Sequence, residues 1–302
     1  MQARQVRLTG IEAATPASLA PLQAIEPHLL LVFAPPSLLA HPDLTSRLRV
    51  AFPTAELVGC STGGEISSQG CHEQSLLLTA IAFENPGMRI ISTRVAHADD
   101  AREAGERLGN ALRPLGVRSV LCFVPGSGIN GAELIQALTR SLPGAKVAGG
   151  MAGFYSAGEN ACTLHNLVIA ADQIVAIGFS NSRLTASVAI GPAANLMTAD
   201  VPEGATAAGM HAAALLDDAT DVVQAIASAG NEPGLVLLVS DMQRKATLVA
   251  QRKDEIATVT GTLGDRHVYA GFYACAQISA DPATGKAALY RHGLSVCVLR
   301  EA

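Results

Sequence analysis

Gly59-Cys60-Ser61-Thr62-Gly63-Gly64-Glu65 sets a thiol, two hydroxyls and a carboxylate among glycines. Glycine lets backbone N–H groups come close to a polar ligand and tolerates positive φ, so this run suits the cradling of a small polar molecule. Two further runs follow, Gly149-Gly150-Met151-Ala152-Gly153 and Gly271-Phe272-Tyr273-Ala274-Cys275-Ala276-Gln277. A pure packing turn has no need of Ser61, Thr62, Glu65 or Gln277 among its glycines. The three runs are therefore expected to converge on one cleft, with Arg244 as its main fixed positive charge, a fork suited to carboxylate or phosphate. Glu65 and Gln277 hold the same position in their runs and should approach a shared axis. A buried Glu65 needs a cationic or donor-rich partner. Arg244 could supply it, as could an amino group on the ligand, which favours an amine-bearing molecule.

Other chemistries have weaker support. Gly126-Ser127-Gly128-Ile129-Asn130-Gly131 matches the dinucleotide fingerprint, follows a strand and opens a helix. No Asp or Glu lies between Glu133 and Glu159 to hold a ribose, so no NAD is expected and the loop reads as a helix cap. The eight histidines lack H-x-x-x-H or H-E-x-x-H spacing and the six cysteines form no C-x-x-C pair, so no zinc site is expected. Cys60 in its glycine-rich turn could be activated by nearby amides. An enzyme built on Cys60 is thus an alternative, but no histidine is near it in sequence.

The elements that must position these runs recur three times. Strand Leu29 to Phe33, helix Leu44 to Val50, the Gly59 run and strand Leu76 to Phe83 make the first copy. The second has strand Ser119 to Val124, helix Ala132 to Ser141, the Gly149 run and strands Leu167 to Ala170 and Val175 to Phe179. The third has strand Leu235 to Val239, helix Lys245 to Leu263, the Gly271 run and strand Leu294 to Leu299. Gly59 and Gly271 each stand six residues before a polar residue followed by Ile-Ser; the middle copy keeps Gly149 and Gly153 but lacks that ending. With further strands at Met88 to Val95 and Leu184 to Ile190, the order predicts an α/β fold of mixed sheets with outer helices, layered αββα if two sheets face each other. Residues 1–27 form an N-terminal extension. A lobe boundary is expected in 191–204, giving lobes 28–195 and 196–302, with a helix over 205–229 opening the second.

The Gly59–Ile66 and Gly149–Gly153 stretches resemble the FIST family, whose N-terminal half carries G-C-S-T-x-G-E-I and then G-G-x-A-x-D/G. Its C-terminal half offers a strand ending in Ser-Cys-x-x-Arg and later G-F-Y-x-Y-G-E-I; here these read Ser240-Asp241-Met242-Gln243-Arg244 and Gly271 to Ile278, with Asp241 for the cysteine and Gln277 for the glutamate. The stretch from Met197 to Leu235 is shorter than is usual for that half. The resemblance implies a sensory domain that binds a small ligand, and the residues expected to line its site are Gly59 to Glu65, Gly149, Gly150, Gly153, Ser240, Arg244, Tyr273 and Gln277. It also implies output through a partner such as a histidine kinase or nucleotide cyclase. Some family members are haem proteins responding to nitric oxide, which makes haem an alternative ligand, with His165 as first choice of axial residue and His72 as second.

Composition is consistent with this reading. Apolar residues make up 49% of the 302 and charged ones 16%, as expected of strands buried on both faces. The net charge of −5, the absence of Trp and the lack of a basic run argue against nucleic acid. No apolar stretch reaches the roughly 18 residues of a membrane helix and no signal segment is visible, so a cytoplasmic protein is expected.

Overall fold

A computed structural model describes residues 1–126, 128–156, 158–191, 194–197, 211–228, 230 and 232–301. Three all-buried strands, Leu29–Ala34, Ser119–Val124 and Leu235–Asp241, head three structural repeats. Burial on both faces suits parallel pairing. Each pairs in parallel, after a helical crossover, with a second strand: Glu56–Ser61, Lys146–Met151 and Val268–Ala274 respectively.

The chain then leaves its own sheet. From Glu56–Ser61 it passes to the hairpin Glu65–Ser67 and Gly70–His72, which pairs with Val268–Ala274 of the third repeat. The hairpin Thr163–His165 and Val168–Ala170 pairs with Glu56–Ser61 of the first, and Ala276–Ala280 with Ala287–Arg291 adds to Lys146–Met151 of the second. The chain returns antiparallel beside its own first strand as Leu76–Ala82, Gln173–Phe179 or Leu294–Glu301. An edge strand that began the repeat completes each sheet: Gln2–Leu8, Met88–Arg94 or Leu184–Ile190. Every sheet thus borrows its neighbour's hairpin in a closed cycle of three. Strands from both sides of the expected 191–204 boundary share sheets, and residues 1–27 supply an edge strand and the helix Pro16–Gln23.

Three sheets, in place of two facing layers, share one inner core. Phe33, Phe123 and Phe272 meet in it with ring centroids 4.9, 5.9 and 6.0 Å apart. Phe33 lies opposite Cys60 and Phe123 opposite Gly150, whereas the third repeat places Val239 opposite Phe272. Large and small residues exchange strands, which keeps the packed volume constant. The outer faces are covered by helices, among them Leu44–Ala51, the pair Ala101–Leu112 and Gly131–Ser141, and Ala212–Ala227.

Two predicted helices differ. The span Lys245 to Leu263 is two helices, Met242–Ala250 and Glu255–Leu263, because Asp254 caps the second through Ile256 and Ala257 N–H. The helix predicted over 205–229 is seen as Ala212–Ala227, and residues 205–210 lie outside the described residues. Asn130 caps Gly131–Ser141 by accepting from Glu133 N–H, as expected of that loop, whose Ser127 lies outside the described residues. Among the described residues no helix is long and apolar enough to cross a membrane.

Candidate functional site

Gly59, Gly149 and Gly271 occupy the same place in the three repeats, paired with Val32, Cys122 and Leu238 on the preceding parallel strand. A Cβ on any of them would come closer than 3.0 Å to that partner's carbonyl oxygen, so these glycines serve sheet packing. Gly150 is similarly enclosed by Val239 and Ala276.

The turns after these strands do converge. Ser61 hydroxyl donates to Gly153 O (2.8 Å) and accepts from Cys162 N–H (3.0 Å), while Gly153 N–H donates to Ser61 O (2.8 Å). Gly63 N–H donates to Tyr273 O and Tyr273 N–H to Gly64 O, each at 2.8 Å. A Cβ on Gly153 would strike Tyr273 O and Gly63 N. All three repeats therefore meet here, through backbone stitched to backbone.

Glu65 and Gln277 are fully buried, and each accepts a backbone N–H at the entrance of its returning strand: Ser75 for Glu65 (3.2 Å) and Gly293 for Gln277 (3.1 Å). Glu65 also accepts from the hydroxyls of Thr62 (2.5 Å) and Ser75 (2.8 Å). Burial raises its pKa, opposed by these bonds and by Lys245. The fold thus meets the carboxylate's need for donors, which removes the reason to expect an amine on the ligand. Thr163 is the third member of the set; its hydroxyl donates to Gln173 O (2.6 Å). Ile66 follows Gly59 by seven residues and its counterpart Leu164 follows Gly149 by fifteen, and that insertion hid Thr163 from the sequence comparison.

Arg244 does not face a cleft. It is fully buried, and all five of its N–H donors are committed: to Glu255 through Nε (3.0 Å) and Nη2 (2.8 Å), to Asp218 through Nη1 (2.5 Å), and to the carbonyls of His292 (3.3 Å) and Leu215 (3.0 Å). Glu255 also accepts from Ser240 hydroxyl (2.5 Å) and from Tyr273 hydroxyl (3.4 Å). Ser240, Arg244 and Tyr273 do come together, as an ion network tying three helices to the third sheet. Burial holds the Tyr273 phenol well above its ordinary pKa.

The positive charge at the meeting of the turns is Lys245, which the sequence reading missed. Its Nζ donates to Gly63 O (2.7 Å) and Glu73 (2.5 Å), and lies 4.8 Å from the ring centre of Tyr155 and 5.6 Å from that of Tyr273. Its side chain is 13% exposed and that of Glu73 is 60% exposed. First, second and third repeats each contribute: Gly63 and Glu73, Tyr155, and Lys245 with Tyr273.

Cys60 is an unsuitable nucleophile. It is wholly buried, and burial foremost, then Cys162 and Cys275, hold its thiol well above its ordinary pKa, so it stays protonated. The histidines expected to hold haem stand in separate settings: His165 has Nδ1 3.0 Å from Ser92 Oγ and Nε2 3.7 Å from Glu56, and His72 Nε2 lies 2.7 Å from Ser67 Oγ.

Comparison with curated proteins gives no match. A family model described as FIST N domain matches residues 28–194, more than half of the chain and the span that carries the first two glycine-rich turns. With that match and the predicted motifs in place, the chain belongs to the FIST family of sensory domains.

Proposed function

We propose that the chain is a cytoplasmic sensory module that takes a small carboxylate- or phosphate-bearing molecule at Lys245 and signals through a separate protein, such as a histidine kinase or nucleotide cyclase. The observation that supports this is the Lys245 assembly itself: a nearly enclosed ammonium between two aromatic faces, paired with a carboxylate that is mostly in solvent. Glu73, mostly in solvent, is free to swing away into water, so a ligand anion can take its place on Lys245 without burying the displaced carboxylate. Tyr155, half-buried, then offers stacking surface to the ligand's body, while the buried Tyr273 ring backs the ammonium from inside. Because the residues come from three repeats, occupancy bears on the packing of all three sheets.

Thermal-shift screening of small carboxylates and phosphate esters tests the reading. Hits should lose their stabilising shift in Lys245→Met and gain affinity in Glu73→Gln, where the competing carboxylate is gone. Hits that bind Lys245→Met as tightly as the parent would remove Lys245 from the site.

A further inference from the structure

His165 takes no part in the Lys245 site, yet it stands in a series of polar contacts. Its Nδ1 lies 3.0 Å from Ser92 Oγ and its Nε2 lies 3.7 Å from Glu56 Oε2. Glu56 Oε2 accepts from Asn166 Nδ2 (2.8 Å), and Asn166 Oδ1 accepts from Arg49 Nη2 (2.7 Å) and Leu57 N–H (3.1 Å). Arg49 is fixed in turn by the carbonyls of Phe52, Pro53 and Ala55. Asn166 adopts the left-handed conformation, φ 57°, at the turn that makes these bonds. Hydroxyl, imidazole and braced carboxylate in series are the groups by which a serine is activated.

The repeats supply an internal control. Strand register makes Arg7, Ser67 and Val268 the counterparts of Ser92, His165 and Glu56 in one copy, and Ile190, Ser279 and Lys146 in the other. Both copies form the same sheets without a relay, so the architecture does not require one. The surroundings suit a substrate. Val168, paired across the hairpin from His165, is 42% exposed, and Leu167 at its tip is 59% exposed, an apolar flank for an acyl group. Ser92 lies on the edge strand Met88–Arg94, whose open side presents backbone N–H groups that the ladder does not use.

We propose that Ser92, His165 and Glu56 form a hydrolytic site for small carboxylic esters. Ser92 Oγ attacks the ester carbonyl while His165 Nδ1 takes its proton, and the carbonyl π electrons move onto oxygen. Collapse of that oxyanion expels the alcohol, which receives the proton from His165, and leaves Ser92 acylated. Water then adds to the acyl carbonyl as His165 takes its proton; collapse of this second oxyanion breaks the acyl bond to Ser92, whose Oγ takes the proton back from His165 as the carboxylic acid leaves. Glu56 is a positioning residue, orienting the ring and stabilising its charged form. Burial lowers the pKa of His165 and Glu56 acts against this, so the ring is neutral and able to accept a proton at pH 7. Of the other charged groups on the elements packed around it, Arg49 lies behind Asn166, Arg94 is paired with Asp172 (2.7 Å), and Arg89 stands on the opposite face of the strand from Ser92.

p-Nitrophenyl acetate turnover and labelling by a fluorophosphonate test this on the full chain. Phosphonylation, with loss of fluoride, should map to Ser92 by peptide mass spectrometry. Turnover should fall by about 100-fold or more in Ser92→Ala and His165→Ala. Glu56→Gln should lower kcat more than it raises KM and move the acid limb of the pH profile to lower pH, an effect that a structural role would not give. Melting temperatures of the variants establish that they fold. The proposal is overturned if Ser92 is not labelled, if labelling is as fast in His165→Ala, or if Ser92→Ala hydrolyses the ester at the parent rate.

Discussion

Glu65 and Gln277 do the same structural task in two repeats, each closing the entrance of a returning strand by accepting one backbone N–H, from Ser75 and Gly293 respectively. No hydrogen bond between the two is seen among the described residues. The difference in charge predicts a difference in pH behaviour. Burial raises the pKa of Glu65 above its unfolded value, so its contribution to stability is fully present below the unfolded pKa and is lost as pH rises through the folded one. Glu65→Gln removes that loss. Urea unfolding of both proteins should show the variant gaining on the parent as pH rises above the ordinary glutamate range, and a gap independent of pH would contradict the assignment.

Alanine at Gly59, Gly149 or Gly271 would drive a methyl group into a neighbouring carbonyl on the paired strand. Each substitution should cost about 3 kcal/mol or more, seen as lost soluble yield or a large fall in Tm. Gly10 is the control, with extended backbone and open space around it, and Gly10→Ala should stay within about 0.5 kcal/mol.

Arg244 holds Asp218 and Glu255 in a buried network. Arg244→Met leaves two carboxylates without their cation and should cost about 3–5 kcal/mol in urea unfolding at pH 7. Lysine is a poor substitute, with three donors against the five that Arg244 uses.

Native alkylation distinguishes the cysteines. Burial keeps Cys60 protonated and inaccessible, while Cys71 is partly exposed with its pKa pushed up to about 12. Iodoacetamide at pH 8 should modify Cys71 slowly and leave Cys60 untouched until the protein unfolds. Rapid loss of the Cys60 thiol in the folded protein would revive it as a nucleophile.

The repeat was legible because only glycine fits at Gly59, Gly149 and Gly271, and because Leu29–Ala34, Ser119–Val124 and Leu235–Asp241 are buried on both faces. The hairpin exchange was not, since a strand's pattern shows which face is buried but not which sheet receives it. The break between Met242–Ala250 and Glu255–Leu263 escaped notice because Asp254 caps through its side chain within an otherwise periodic stretch. Arg244 and Lys245 are neighbours, but Arg244 is buried in an ion network while Lys245 stands where the turns meet. The carboxylates that bury Arg244 lie on separate helices, at Asp218 and Glu255, and no local spacing reveals them. Ser92, His165 and Glu56 come from three strands in two sheets and leave no motif.

Hydrogen exchange with and without a screened carboxylate or phosphate hit tests the sensory reading most directly. Binding at Lys245 should slow exchange together in peptides covering 62–75, 153–156 and 242–250, one from each repeat. Protection confined to a single repeat, or lying elsewhere while these three peptides exchange as in the free protein, would contradict it.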